Sequence, residues 1–121
     1  MSTLARGAAA YRTVGLDHGN PVRLTAAATR GAAVEVQRAL VALRQRDATA
    51  CGEAISRASN LIGVLREGLD LGRGEGLARN LDRVYVYLQM RLMRANISRD
   101  TDLLGEIGRH LAGLSEAWEA I

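Results

Sequence analysis

Apolar positions recur along most of the chain in steps of three and four residues, the spacing that places side chains on one face of an α-helix. Four such seams follow one another: Val22, Ala26, Thr29, Ala33, Val36, Leu40 and Leu43; Ile55, Ala58, Ile62, Leu65 and Leu69; Leu77, Leu81, Val84, Tyr85, Leu88, Leu92 and Ala95; and Leu104, Ile107, Leu111, Leu114, Trp118 and Ile121. Each segment pairs its seam with polar residues. Four amphipathic helices with short links predict an all-α protein, an antiparallel four-helix bundle.

The expected helix ends come from capping and turn residues. Residues 1–20 lack a sustained period, which predicts a short, flexible and loosely attached N-terminal segment before a bundle spanning 21–121. Asn20 can cap the first helix and Pro21 suits its first turn. The other expected boundaries are Asp47 or Thr49 before the second helix, the glycine-rich stretch 71–76 before the third, Asn96 at the end of the third, and Asp100 or Thr101 before the fourth.

The third helix has more large apolar residues than one core face requires. Val86, Met90, Met93 and Ile97 are also at helical spacing, about 140–180° from the seam that contains Tyr85. Opposite faces of one helix cannot both point into a single four-helix core. Apolar stripes of this size usually mark interaction surfaces, and methionine adapts to varied packing partners. The cover could be the N-terminal segment, a second copy of the chain or a separate partner, and periodicity leaves all three open.

The second helix shows a related but smaller excess. Leu61, Val64 and Leu71 lie outside its seam and widen its apolar arc to about half of the circumference. A bundle helix that contacts two neighbours already needs a wide arc. These three residues are therefore the second choice as binding residues, after the stripe on the third helix.

Charge and composition narrow the classes of function. All 16 basic residues are arginines interleaved with acidic residues, and the net charge is only +3. This pattern is typical of a solvated surface and argues against nucleic-acid binding. No run approaches the about 20 apolar residues of a membrane span, and residues 1–19 lack the apolar run of a secretory signal. We expect a cytoplasmic protein that does not insert into membranes.

Catalytic and metal-binding chemistry has little support. Glu106 and His110 are four residues apart, but a di-iron bundle needs two such pairs, so an exposed pair is the better interpretation. A histidine phosphotransfer site at His110 is a weaker alternative, because that family places a lysine shortly after its histidine and this chain has no lysine. Cys51 is the only cysteine and cannot complete a disulfide or redox motif. We therefore expect that the protein is not an enzyme and that it binds neither a cofactor nor a metal.

The third helix also resembles a known family, the FliS export chaperones. Their pattern is close to N-L-x-x-L-Y-x-Y-x-x-x-R-L-x-x-A-N, followed by an acidic helix start and an L-x-x-A-W ending. The matching residues here are Asn80, Leu81, Val84, Tyr85, Tyr87, Arg91, Leu92, Ala95 and Asn96, then Asp100, Asp102, Leu114, Ala117 and Trp118. The upstream stretch 53–81 resembles the family's second helix and glycine-rich link. Residues 28–32 depart from the family's Leu-Tyr-Asp-Gly-Ala, and only Gly31 and Ala32 match.

The resemblance implies a protein that binds the disordered C-terminal segment of flagellin in apolar grooves and prevents its premature polymerisation. It also implies that the N-terminal segment around Tyr11 covers a groove and is displaced by the client. We predict client contacts at Val86, Met90, Met93 and Ile97, with Leu61, Val64 and Leu71 second. The alternatives are a self-associating bundle, including a homodimer when client-free, and an adaptor for another flagellar regulator.

Overall fold

Helices form nearly all of the chain that is described by the computed structural model, which covers residues 21–72 and 76–120. They are α1 (Pro21–Arg44), α2 (Ala48–Glu67), α3 (Leu77–Ser98) and α4 (Thr101–Glu119). The all-α, four-helix prediction is confirmed. The expected flexible segment 1–20 with its Tyr11, and the seam residue Ile121, lie outside the described residues.

The helices surround one core, with α1 packed against α2 and α4, and α3 closing the ring between the same two neighbours. Neighbouring helices are antiparallel, as the ion pairs between residues near the end of one helix and the start of its neighbour show. Arg66 near the end of α2 pairs with Asp82 near the start of α3. Arg30 in the first half of α1 likewise pairs with Glu119 at the end of α4. This order leaves each helix with one outward face and two seams shared with neighbours.

Aspartates begin two of the helices. The Asp47 carboxylate accepts a hydrogen bond from the Ala50 N–H at 3.0 Å, and the Asp100 carboxylate accepts one from the Leu103 N–H at 3.1 Å. These side chains satisfy amide donors that have no partner inside the helix. The sequence offers Asp47 or Thr49 as the cap of α2 and Asp100 or Thr101 as the cap of α4. In both cases the aspartate is the cap, and the threonine lies inside the helix.

The expected end of the third helix at Asn96 is wrong. Helix α3 continues to Ser98, and its C-cap is Arg99, in the left-handed conformation with φ 54° and ψ 41°. The Arg99 N–H donates to the Ala95 carbonyl and closes the last turn. Asn96 therefore lies inside the helix, and its Oδ1 is 3.6 Å from the position that a Cβ would take at Gly52 of α2.

The core combines large side chains from three helices with small ones from α1. The largest fully buried side chains outside α1 include Ile62, Tyr85, Leu88, Leu92, Leu104, Ile107 and Leu111. Helix α1 contributes mostly alanines, including Ala32 and Ala39, which have no exposed area. Small residues allow close approach: a Cβ at Gly31 would lie only 3.2 Å from Leu61 Cδ1. Helix α1 is thus a closely packed element of the bundle.

The residues that depart from the FliS pattern are accommodated within α1 and by α4. Thr29 is completely buried, and its hydroxyl donates to the Thr25 carbonyl at 2.7 Å, so no polar atom of the side chain is left unpaired. Arg30 is exposed and forms an ion pair with Glu119. The arginine that replaces the family's aspartate therefore has an acidic partner on α4.

Candidate functional site

The second stripe on α3 faces solvent. Met90 is 65% exposed, Met93 66% and Ile97 80%, while Val86 is half-buried. We call these four residues the outer stripe. On the opposite face of the same helix, the seam residues Tyr85, Leu88, Leu92 and Ala95 are essentially inaccessible. Helix α3 therefore presents one apolar face to the core and another to the outside.

The outer stripe borders a groove between α2 and α3. Ile55 and Leu92 are the buried apolar residues among its lining. The remaining lining residues are Val86, Met90, Met93, Gln89 and Asn96 from α3 and Ser56, Ser59 and Arg66 from α2. We call this the α2/α3 groove; its volume is about 480 Å³. Ile97 lies beyond it, further along α3, and extends the apolar surface toward the end of that helix.

A network of polar side chains joins the two walls of the groove at the end nearer the start of α3. The Gln89 side-chain amide donates to the Ser59 carbonyl and accepts from Arg66 Nη1, both at 3.0 Å. Arg66 Nε donates to Asp82 at 2.9 Å. These bonds tie the walls together across the seam and hold the groove in shape without a ligand. A preformed groove binds at a lower ordering cost than one that must first assemble.

The opposite end of the α2/α3 groove opens into a polar cleft. Its lining includes Thr49, Gly52 and Glu53 of α2, and it shares Ser56 and Asn96 with the groove. Two polar atoms here, Asn96 Oδ1 and Arg99 Nη1, are closed off from solvent and have no hydrogen-bond partner. The candidate site is therefore apolar along α3 and incompletely hydrogen-bonded at one end.

The second-choice residues on α2 lie away from this groove. Leu61 packs toward Gly31 of α1, whereas the α2 residues that meet Gln89 of α3 are Ser59 and Gly63. Val64 is 58% exposed, and Leu71 is exposed beyond the end of α2. Leu61 thus faces α1, and none of the three second-choice residues lines the α2/α3 groove. The apolar pattern does not identify Ser56 and Ser59, which form the α2 wall of the groove, because serine is not apolar. Their spacing of three residues, which places two small side chains on one helix face, is the sequence feature that could identify this wall.

The acid–histidine pair on α4 is not formed. Glu106 and His110 are both exposed, but the Glu106 carboxylate pairs with Arg91 of α3. The Arg91 guanidinium also lies 5.3 Å from the centre of the Tyr87 ring. An arginine that reaches across the seam competes successfully for the carboxylate because its charge is permanent.

Two other kinds of site are absent from the described residues. Within 21–72 and 76–120, no three His, Cys, Asp or Glu side chains come together as metal ligands would. None of the described helices has both the length and the apolar character required to cross a bilayer.

A solvent-facing groove with apolar residues along one wall is a feature that other helical proteins use to bind peptide segments. The chain matches the family model of the flagellar protein FliS over residues 4–121. It is 39% identical over 102 residues to the flagellar secretion chaperone FliSB of Pseudomonas aeruginosa, covering 84% of this chain and 81% of that one. It is 35% identical over 122 residues to the flagellar secretion chaperone FliS of Salmonella typhimurium, with 97% and 90% covered. The chain belongs to the FliS family of flagellar secretion chaperones.

Proposed function

We propose that the protein is a cytoplasmic chaperone that binds the disordered C-terminal segment of flagellin and keeps it from polymerising before export. The observation that carries the proposal is the exposed outer stripe beside the preformed α2/α3 groove. The names of the relatives support a role in flagellar secretion, and the resemblance to FliS points to flagellin. The protein acts by binding alone, with no catalytic step and no cofactor.

Binding in the groove masks the segment sterically. Apolar client side chains pack against Val86, Met90 and Met93 over the floor formed by Ile55 and Leu92. Fully burying one methionine-sized side chain contributes about 1.5–3 kcal/mol, so several such contacts offset the ordering of a disordered client. Methionine side chains bend to fit different client residues. A segment held this way cannot pair with another flagellin subunit.

The proposal extends to the remaining predicted residues. Ile97 continues the apolar surface beyond the groove, and Leu61, Val64 and Leu71, on α2 and just after it, form a second set of client contacts. A client that wraps around the bundle would reach this second set after leaving the α2/α3 groove. Tyr11 lies outside the described residues, and the resemblance to FliS implies its role: the segment around it would cover a groove until the client displaces it.

Calorimetric titration with a peptide of the flagellin C-terminal segment tests the proposal. We expect one-to-one binding with a negative heat-capacity change, because apolar surface is buried. Met90→Glu should weaken binding by about tenfold or more, since it places a charge in the apolar contact. Ala112→Glu is the matched control, because it adds the same charge at an exposed position on α4. Circular dichroism should show unchanged helix content in both variants.

Two results would contradict the proposal. One is the absence of heat and of any spectroscopic change when the peptide is present at high micromolar concentration. The other is unfolding of the Met90→Glu variant, which would make the outer stripe part of the core. Sedimentation of the client-free protein tests the rival occupant: a dimer that Met90→Glu dissociates and that the client does not compete with would assign the outer stripe to self-association.

A further inference from the structure

Two side-chain amides on α3 face α2 from positions seven residues apart, and they differ in how their hydrogen bonds are satisfied. Gln89 donates to the Ser59 carbonyl and accepts from Arg66, so both ends of its amide are used. Asn96, two turns further along, has its Oδ1 closed off from solvent with no partner, and Arg99 Nη1 beside it is in the same condition. The side-chain hydrogen bonds between α2 and α3 are therefore complete at the Gln89 end of the groove and incomplete at the Asn96 end.

Buried polar atoms without partners are rare because they lose their water and gain nothing in return. Here one acceptor and one donor are left unpaired in the same cleft. Gly52 lies between them: a Cβ at this position would be 3.6 Å from Asn96 Oδ1 and 3.8 Å from Arg99 Nη2. The absence of a side chain at Gly52 keeps this side of the cleft low enough for another chain to approach. Ser56 and Asn96 connect the cleft directly to the α2/α3 groove.

The unpaired atoms select the chemistry of their ligand. A group that completes both must offer a donor to Asn96 and an acceptor to Arg99 within a few ångströms, as a peptide group does. A carboxylate offers acceptors only, so it would leave Asn96 Oδ1 unpaired. A peptide group also suits the Asn96 amide in either orientation, because it can donate or accept.

We propose that Asn96 and Arg99 anchor a main-chain peptide group of the client where it passes from the α2/α3 groove across the start of α2. This inference rests on the proposed function and names a further contact of the same site. Both atoms are shut off from water in the free protein, so binding includes a rotation of the Arg99 side chain that exposes them. Because every residue has a peptide group, the anchor fixes the register of the client without reading its sequence.

Two variants remove the anchor and preserve the fold. Arg99→Gly places glycine at φ 54°, where glycine is the preferred residue, and removes the guanidinium. Asn96→Leu removes the unpaired oxygen from the middle of a helix with a good helix former of similar size. Each should bind the flagellin C-terminal peptide about tenfold more weakly, with unchanged helix content. Arg109→Gln is the charge-matched control for Arg99→Gly, because it removes one exposed positive charge on α4 and should bind like the unmodified protein.

A peptide series identifies the source of the contacted amide. N-methylation at one client position should weaken binding to the unmodified protein by about tenfold, and should have no further effect on Asn96→Leu. If replacement of a client Asn or Gln by Leu gives that pattern instead, the anchor reads a side chain and the main-chain proposal is wrong. Undiminished binding by both protein variants would overturn the anchor and leave the proposed function intact. Failure of the unmodified protein to bind would overturn both, and an equal loss in Arg109→Gln would show a general effect of charge.

Discussion

The two apolar faces of α3 belong to one helix, contain side chains of similar size and alternate along the same 22 residues, yet one is inaccessible and the other lies in solvent. Leu88 and Leu92 on the inner face are buried in the core of the bundle. Met90 and Met93 on the outer face line the α2/α3 groove and are about two-thirds exposed. Apolar character alone therefore does not determine what a helix face does. The arrangement of neighbouring helices decides which face stabilises the fold and which is left to bind.

A second comparison concerns the two seams of α2. On the α1 side the seam is sealed: Gly31 lets Leu61 approach closely, and Arg57 Nε pairs with the buried Glu35 carboxylate at 2.8 Å. On the α3 side, Gln89 hydrogen-bonds to α2 across the seam, and a groove remains between the two helices. Small residues in α1 favour close packing. We therefore expect substitutions in the packed α1/α2 seam to change mainly the stability of the fold, and substitutions in the α2/α3 groove to change mainly client binding.

The largest expected effect is a difference in stability between two alanine substitutions, one on each face of α3. Leu88→Ala removes fully buried atoms and should lower the free energy of unfolding by about 2–5 kcal/mol. Met93→Ala removes exposed atoms and should change it by about 0.5 kcal/mol or less. Urea unfolding followed by circular dichroism measures both. Equal losses would show that the two faces are equally buried in solution.

A smaller effect is expected at the sealed seam. Glu35 is buried and accepts hydrogen bonds from Arg38 and Arg57, so Glu35→Gln weakens two charge-assisted bonds. We expect a loss of about 1–2 kcal/mol in the free energy of unfolding and no change in client affinity. Urea unfolding and calorimetry report the two quantities separately. A matching loss of affinity would mean that the ion pairs of Glu35 with Arg38 and Arg57 take part in binding the client.

The smallest effect concerns the ion pair between α1 and the end of α4. The hydrogen bond from Arg30 lowers the pKa of Glu119 below its usual 4.5, and nearby charge and the Ser115 hydroxyl act in the same direction. The folded state thus favours the ionised carboxylate. Its contribution to stability is present above pH 4.5 and is lost as the pH falls through the lowered pKa. Both side chains are exposed, so solvent screens the pair.

Glu119→Gln should therefore lower the melting temperature slightly at neutral pH. The difference from the unmodified protein should disappear when melting is repeated well below pH 4.5. A difference that persisted at low pH would show that Glu119 contributes through packing. High salt at neutral pH should also reduce the difference, because it screens exposed charges.

Much of the fold follows from local pattern. The seam through Tyr85, Leu88 and Leu92 predicts the buried face of α3, and Asp47 and Asp100 predict two caps, because these features need only residues a few positions apart. The outer stripe was also predictable, since its four members repeat at helical spacing.

Other features depend on residues that are distant in sequence or on unusual backbone. The α2 wall of the groove depends on how α2 is rotated against α3, which brings Ser59 to Gln89 across 30 positions. The pairing of Arg30 with Glu119 spans 89 positions. Arg99 adopts a left-handed conformation that favours glycine and asparagine, so residue type pointed to Asn96 as the helix end. Sequence pattern could predict the apolar surface but not the polar end of the site.

The central claim is that the outer stripe of α3 is the surface that receives the client. The chain has three methionines, and two of them, Met90 and Met93, are in the outer stripe. Protein labelled with ¹³C at the methionine methyl groups should therefore report on both residues, and their signals can be assigned by replacing Met90 and Met93 with leucine one at a time. Titration with the flagellin C-terminal peptide should shift the Met90 and Met93 signals in proportion to the bound fraction measured by calorimetry. Saturating binding that leaves both signals in place would contradict the claim.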